Sequence, residues 1–319
     1  MCSVSGTALI GTDAEKAASL LRSGACVAIP TETVYGLAAN ACDPAAVASI
    51  FEIKNRPFFD PLIVHIGYVD QVAQLAVSFP EKAKKLTEKF WPGPLTIILP
   101  KSELVPDIVS AGLFTVGIRM PDHDLTLKLL QQLEFPLAAP SANPFGYVSP
   151  TTARHVADQL GNKIKYILDG GPCRVGLEST IVSFESEYPV ILRLGGISME
   201  EIEEVLGKVL VSTGDSSQPT APGMLSSHYA TRKKLLFGQL DDRITQYAGL
   251  NVGVLALSDL RGQNGIILSK KRDLNEAAQN LFASMRMMDN ADYDLILAEE
   301  MPESGLGRAI NDRLRRAAH

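Results

Sequence analysis

A chain of 319 residues with 30 Lys and Arg against 36 Asp and Glu carries a formal charge of −6, and 46% of it is apolar. That composition excludes a disordered or fibrous chain, and at ~150 residues per domain it predicts two domains. The acidic balance argues against coating nucleic acid through bulk charge, and no apolar run approaches the ~20 residues that cross a bilayer.

In chain order, the first sixteen residues lack the basic and then apolar pattern of a secretory leader, so a cytoplasmic location is expected. Thr12 and Glu15 suggest a capping box for a helix whose Ala14, Ala17, Ala18 and Leu21 repeat at helical spacing until Gly24. Short apolar runs bounded by Pro and Gly then recur at 25–30, 61–66, 95–100, 115–121, 136–140, 166–171, 179–184 and 190–196. They read as strands, several buried on both faces because polar residues do not alternate within them. Helices are expected near 43–54, 80–89, 124–134 and 152–160, and Ser198 with Glu201 opens another. Eleven of the sixteen residues at 212–227 are Ser, Thr, Gly or Pro, which suits a linker. Beyond it, strands are expected at 235–237, 251–257, 266–268 and 293–298. A helix after Asp273 carries Leu274, Ala277, Ala278, Leu281, Met285 and Met288 on one stripe, which reads as core rather than a soft-metal face. The tail holds Arg308, Arg313, Arg315 and Arg316 against Asp312. A basic helix end favoured by its own dipole is the plainer reading there, and a weak RNA contact the sharper one. The expected fold is therefore α/β: a twisted mixed sheet with flanking helices over 1–210, a linker or lid over 211–233, and a smaller Rossmann-like α/β domain over 234–319.

Several chemistries are set aside. There is no GxxxxGK[ST] phosphate loop and no GxSxG elbow. Four cysteines without CxxC spacing (Cys2, Cys26, Cys42, Cys173) indicate neither a disulfide framework nor a zinc site. The five histidines are too scattered for a helical metal motif, so no protein-held metal is expected and any metal would arrive with a substrate.

What remains is polar residues at the ends of apolar strands, where α/β proteins place ligands. PTETVYG sets Thr31, Glu32 and Thr33 after a strand. Lys54 and Arg56 lie on the following loop, with His65 near the end of the next strand. Ser141, Asn143, Tyr147 and Ser149 occupy one loop as potential phosphate donors. Arg119 and Arg193 each sit inside an apolar run, where an unpaired cation costs several kcal/mol; an internal carboxylate or an anionic substrate must answer them. The surplus of cationic and hydroxyl groups favours a polyanionic ligand such as a nucleoside triphosphate.

The segments PTETVYGLAANA, KNRPFFDPLIVHI, FWPGPLTIILP, TVGIRMPDH, PLAAPSANPFGYVSPT, LDGGPCRVGLESTIVSF and ILRLGGIS, in that order, resemble the YrdC-like family. The later APGMLSSHYATR and NDRLRRAA resemble its long two-domain form. The resemblance implies that threonine and bicarbonate form a carbamate whose oxygen attacks the α-phosphate of ATP. Threonylcarbamoyl-AMP and pyrophosphate would result, the former passing to the machinery that modifies tRNA; Mg²⁺ would accompany ATP. It further implies that Thr33, His65, Arg119, Ser179 and the backbone at Ala139 hold threonine. Lys54, Arg56, Asp60, Thr115, Ser141, Asn143, Ser149, Arg193 and Tyr229 would bind ATP, and Lys54, Arg56 and His65 would serve the chemistry, His65 as base or orienting group. Asp60 stands where the family usually has Asn, Ala38 where Gly is common, and Thr231 where Pro usually ends the SHYAP segment. On this reading Asp60→Ala is mild or beneficial, whereas alanine at Lys54, Arg56 or Arg119 is damaging. His228 and Tyr229 would fold over the site as a lid. The reading from a different class is a duplex-RNA- or ribosome-binding protein on the same cationic surface; the net charge and the scarcity of aromatics beside the basic residues count against it.

Overall fold

Asp13, rather than Thr12, opens the first helix: its carboxylate accepts from the Lys16 N–H, and the helix runs Ala14–Arg22. Asp43 caps Pro44–Lys54, with proline at the first turn where its missing N–H costs nothing. That helix stops because Asn55 adopts left-handed backbone, which turns the chain and sends Arg56 back toward the sheet. Ser198 and Glu201 form the expected reciprocal capping box on Met199–Leu206. The computed structural model describes residues 8–212, 221 and 228–318.

Eleven strands form one mixed sheet in the order Leu9–Gly11, Tyr166–Leu168, Val27–Ile29, Gly36–Asn40, Leu137–Ala138, Ile63–His65, Thr115–Arg119, Leu95–Pro100, Thr180–Ser183, Val190–Arg193, Leu210–Val211. Leu9–Gly11, Gly36–Asn40 and Leu210–Val211 were not among the expected strands. The last pairs with Val190–Ile191, so the sheet runs past the expected boundary at 210. Most of the expected linker (213–220 and 222–227) lies outside the described residues. Ala221 is fully buried against Ile63, Ile98 and Ile181.

The sheet's two faces do different things. Val64, Ile97, Ile118 and Val182 pack into the principal core with Ile50, Phe51 and Leu86. Their alternating neighbours project to the other side. His65 pairs with Arg119, Ile63 with Gly117, and Thr96 with Ile181, so polar groups and a small apolar patch share that second face.

The second unit is a four-stranded, wholly parallel sheet in the order Leu235–Gly238, Leu295–Glu299, Val252–Ala256, Gly265–Ile267. Met285 and Met288 are core, as the stripe predicts. Val34, Val148 and Leu177 of the first unit are buried in the same apolar cluster as Leu281, Phe282 and Met285 of the second. The units therefore meet through a hydrophobic core rather than a wet surface.

Candidate functional site

A cleft opens on the polar face, bordered by Arg56, His65, Arg119, Ala139, Ser141, Glu178, Arg193, His228 and Tyr229 among others. It gathers residues from segments that are distant in sequence.

Arg119 ends its strand nearly fully buried. One terminal nitrogen pairs with Glu32 Oε2 at 2.7 Å and donates to Thr33 Oγ1 at 2.9 Å. The partner demanded by a buried guanidinium is thus an internal carboxylate. Arg119 Nε and Glu32 Oε1 nonetheless remain buried without a hydrogen-bond partner. Thr31 fixes this turn by bonding Thr33 Oγ1 at 2.8 Å and donating to the Val34 carbonyl at 2.6 Å. Beside Arg119, His65 places Nδ1 3.2 Å from the Ile63 carbonyl, so in a neutral ring Nδ1 carries the hydrogen. Burial, with Arg119 adding to it, pushes the His65 pKa down to about 3. So weak a base stays unprotonated near neutral pH.

Arg193 reaches the cleft through a β-bulge. Ile191 pairs with Val182, and Arg193 with Ile181, a register shift that turns Arg193 onto the polar face although Ile191, two residues earlier, packs in the core. Its Nε donates to the Ser179 carbonyl and a terminal nitrogen to Ser179 Oγ, both at 3.0 Å. Ser179 Oγ also lies 2.7 Å from Thr96 Oγ1.

Lys54 is 1% exposed, and its ammonium lies 2.5 Å from the carbonyls of both Ser141 and Asn143. It shapes the loop rather than facing the cleft. Burial and the neighbouring Arg56 both lower its pKa well below the usual lysine value. Arg56 borders the cleft while its other face is held by the Pro61 carbonyl at 2.8 Å and by Asp60 Oδ2 at 2.8 Å. Asp60 is completely buried behind Arg56. Asp60 is thus the counter-charge of Arg56, yet both its carboxylate oxygens stay buried without a hydrogen-bond partner. Burial raises its pKa, and Arg56 and Lys54 pull it back.

The loop of candidate phosphate donors is mostly committed internally. Asn143 Nδ2 donates to the carbonyls of Pro144 and Tyr147 at 2.9 and 2.8 Å. The Tyr147 hydroxyl donates to Asp289, and that of Ser149 to Glu178 Oε1, both at 2.6 Å. Ser141 alone of the four borders the cleft. Thr115, four residues before Arg119 on one strand, borders a separate small cavity with Pro61, Leu62 and Gly117.

Over the cleft, Tyr229 takes φ of +64°, rare for a bulky side chain. It is held by stacking on Phe282, with ring centroids 5.4 Å apart, and by the Arg313 guanidinium 5.3 Å from its ring. His228 is buried edge-on to Tyr229, and burial pushes its pKa down to about 3.

A family model described as telomere recombination, Sua5_yciO_yrdC, matches residues 19–195, more than half of the chain. A second, described as threonylcarbamoyl-AMP synthase, C-terminal domain, matches residues 197–319. The chain belongs to the Sua5/YciO/YrdC family. Threonylcarbamoyl-AMP synthase of Pyrococcus abyssi is 44% identical over 95% of this chain and 93% of its own length, and that of Bacillus subtilis 45% identical over 95% and 92%. The structure of P. abyssi Sua5 complexed with L-threonine superposes with a TM-score of 0.91, at 42% identity, over 98% of this chain and 97% of the other. The mixed sheet and the added C-terminal domain thus bear out the YrdC-like, two-domain fold expected from the motifs.

Within this family frame, sequence reasoning missed groups that the cleft uses. Glu32 was noted only as polar, yet it is the counter-charge of Arg119. Glu178 and Thr96 carry no sequence signal, and Arg313 reads only as part of the basic tail. Glu178 follows an apolar leucine in a loop, and nothing in its spacing signals that a residue 135 positions later pairs with it.

Proposed function

We propose that this chain is a threonylcarbamoyl-AMP synthase, joining L-threonine, bicarbonate and ATP. The observation that carries the reading is the Arg119 corner. A buried guanidinium keeps Nε without an acceptor, and Glu32 Oε1 lacks a donor beside it. Leaving such groups unsatisfied costs about 1–3 kcal/mol each, more for charged ones. An amino acid supplies both missing halves: its carboxylate accepts from Arg119, and its nitrogen or hydroxyl donates to Glu32. A relative 42% identical over nearly the whole chain was solved with L-threonine, which supports that assignment.

In this mechanism threonine's amine and bicarbonate condense with loss of water to a carbamate. A carbamate oxygen then attacks the α-phosphorus of ATP, the bond to the bridging oxygen breaks, and pyrophosphate departs. No group on the chain need become covalently attached. Arg119, Thr33, Ser179 and the neutral His65 orient the amino acid, while Arg56, Arg193 and Ser141 provide donors toward the phosphates. Lys54 acts one step back, by fixing the Ser141 and Asn143 carbonyls. The contribution is positioning and charge neutralisation in a site that excludes water. Among the described residues no cluster of three His, Cys, Asp or Glu stands together to hold a cation. Mg²⁺ would accompany the nucleotide and neutralise phosphate charge there with few protein ligands.

Tyr229 and His228, packed over the cleft, serve as its cover, which protects a mixed anhydride that water readily hydrolyses. The product passes to a tRNA-modifying system, and a cytoplasmic location follows from that role. No helix among the described residues is long and apolar enough to cross a membrane. The RNA-binding reading finds no support in the basic tail, because Arg313 and Arg316 turn inward onto Glu178 and Asp312.

Pyrophosphate release with threonine or bicarbonate omitted in turn tests the reading. Release that needs both supports it; release indifferent to both would mark a simple ATP hydrolase. Serine should replace threonine with a kcat/KM lower by only ~10–200-fold, because a single methyl in a pocket is worth about 1–3 kcal/mol.

A further inference from the structure

Arg313, on the last helix of the second unit, is fully buried although it is one of the largest side chains in the molecule. Its Nε donates to Glu178 Oε2 at 2.9 Å, one terminal nitrogen to the Leu194 carbonyl at 2.7 Å, and the other to Asp312 Oδ2 at 2.6 Å. Asp312 in turn accepts from Arg316 Nε at 3.0 Å. Charges thus alternate from the cleft wall, at Glu178, into the second unit.

The two contacts that cross between the units lie next to candidate substrate groups. Glu178 precedes Ser179 and accepts from Ser149; Leu194 follows Arg193, which itself grips Ser179. A third contact, the guanidinium over the Tyr229 ring, holds the cover. Docking alone does not call for this arrangement. The apolar cluster around Leu281 and Phe282 already joins the units, and a buried ion pair seldom binds better than apolar residues of similar volume.

We propose that Arg313 is a positioning residue of the cleft, contributed by the second unit, which acts through Glu178, Leu194 and Tyr229 to hold Ser149, Ser179, Arg193 and the cover in their working places. The catalytic part of this proposal rests on the function assigned above; the positioning part does not. Glu178 is faced by Ser149 from its loop, by Arg193 from the bulged strand, by His228 and Tyr229 from above, and by Arg313 with Asp312 behind it. Burial favours its neutral form, but Arg313, Arg193 and the Ser149 bond together hold its pKa below the usual value. Without Arg313 the carboxylate is left buried and under-compensated. It then either takes a proton or draws Arg193 away from Ser179.

The test compares the full-length wild type with Arg313→Met, Glu178→Gln and the double variant. Two readouts are used: threonine- and bicarbonate-dependent pyrophosphate release from pH 5.5 to 8.5, and hydrogen exchange of backbone amides 146–151 and 228–231. Arg313→Met should lower kcat/KM by about 100-fold, the scale on which breaking a buried pair acts. It should also gain an acid limb, with activity rising as pH falls and Glu178 is neutralised, and both amide segments should exchange faster. Glu178→Gln in that background should restore at least tenfold of the loss and remove the limb, because no charge is left uncompensated. Should the double variant be as poor as Arg313→Met, with the wild-type pH profile in both, Arg313 only glues the units and the proposal fails. Unchanged activity and exchange in Arg313→Met would overturn it too. If the wild type itself makes no threonylcarbamoyl-AMP, the function reading falls. Hydrogen exchange then decides the positioning claim: faster exchange in Arg313→Met with recovery in the double variant sustains it, and no difference refutes it.

Discussion

Asp60 shows how much the meaning of a residue depends on the charge it is buried against. As a carboxylate beside a nucleotide it predicts a harmless or helpful Asp60→Ala. As the buried counter-charge of Arg56 it predicts the opposite, because removing one partner of a buried pair costs about 3–5 kcal/mol. Denaturant midpoints should show that loss for Asp60→Ala, while Asp60→Asn, still an acceptor for Arg56, should keep most of the stability. Arg119→Lys should keep a charge for Glu32 but lose the planar guanidinium, with the Nε that is left for a substrate carboxylate. The KM for threonine should then rise by about 10–100-fold, the equivalent of one charge-assisted bond, with a smaller change in kcat. Burial holds His65 and His228 neutral, with pKa values of about 3 against the ordinary 6.5, and lowers that of His155 to about 4. In each case the folded pKa lies below the unfolded one, so the unfolded chain takes up protons first as pH falls. Full stability is present above about 6.5 and is lost below it, by up to about 1.4 kcal/mol per pH unit for His65 and for His228, and by less for the half-exposed His155, where solvent screens the effect. Thermal unfolding between pH 7 and 4.5 should show a steep fall, shallower in His228→Gln. The candidate residues themselves were legible, since a cation within an apolar run announces a partner. The direction each one faces was not, because a loop residue's orientation depends on its three-dimensional neighbours.

At the scale of elements, apolar runs bounded by Pro and Gly located most strands, and the capping pair at Ser198 and Glu201 located a helix start. The bulge at Ile191–Arg193 was invisible, although it alone turns Arg193 toward the cleft. Nothing in VILRLGG distinguishes a regular strand from a bulged one, because the extra residue is specified by the partner strand. The same segment contains Gly195, whose hypothetical Cβ would lie 2.3 Å from the Glu178 carbonyl and 2.4 Å from Ser179 C. These are backbone atoms and cannot swing aside. Gly195→Ala should therefore push the 178–180 backbone out of place, lowering threonine affinity at least tenfold by calorimetry. Gly112→Ala, at a positive-φ glycine with open space around it, should cost some stability through backbone strain but leave that affinity intact.

Across the whole molecule, a change in composition at 212–227 marked two units, and the second sheet does begin after it, at Leu235. How the units depend on each other was not legible. The shared apolar cluster draws Val34, Val148 and Leu177 from segments that each look locally self-sufficient. Arg286 likewise reaches back to the carbonyls of Val148 and Ser149, and Asp289 to Tyr147, so one helix of the second unit grips the loop that carries Ser141 and Asn143. Gly176 shows how close the approach is: at φ of +76°, its added Cβ would sit 2.5 Å from the Gln279 Cα. Gly176→Val should loosen the units, detectable as new protease sites, and lower turnover together with stability. The central claim is that this cleft builds a carbamate on threonine and joins its oxygen to the α-phosphorus of ATP, releasing pyrophosphate. Incubating the protein with threonine, ATP and ¹³C-bicarbonate and weighing the nucleotide products tests it most directly. The account predicts threonylcarbamoyl-AMP carrying one ¹³C, absent when Arg119 is replaced. Nucleotide products without label, or label that persists without threonine, would contradict it.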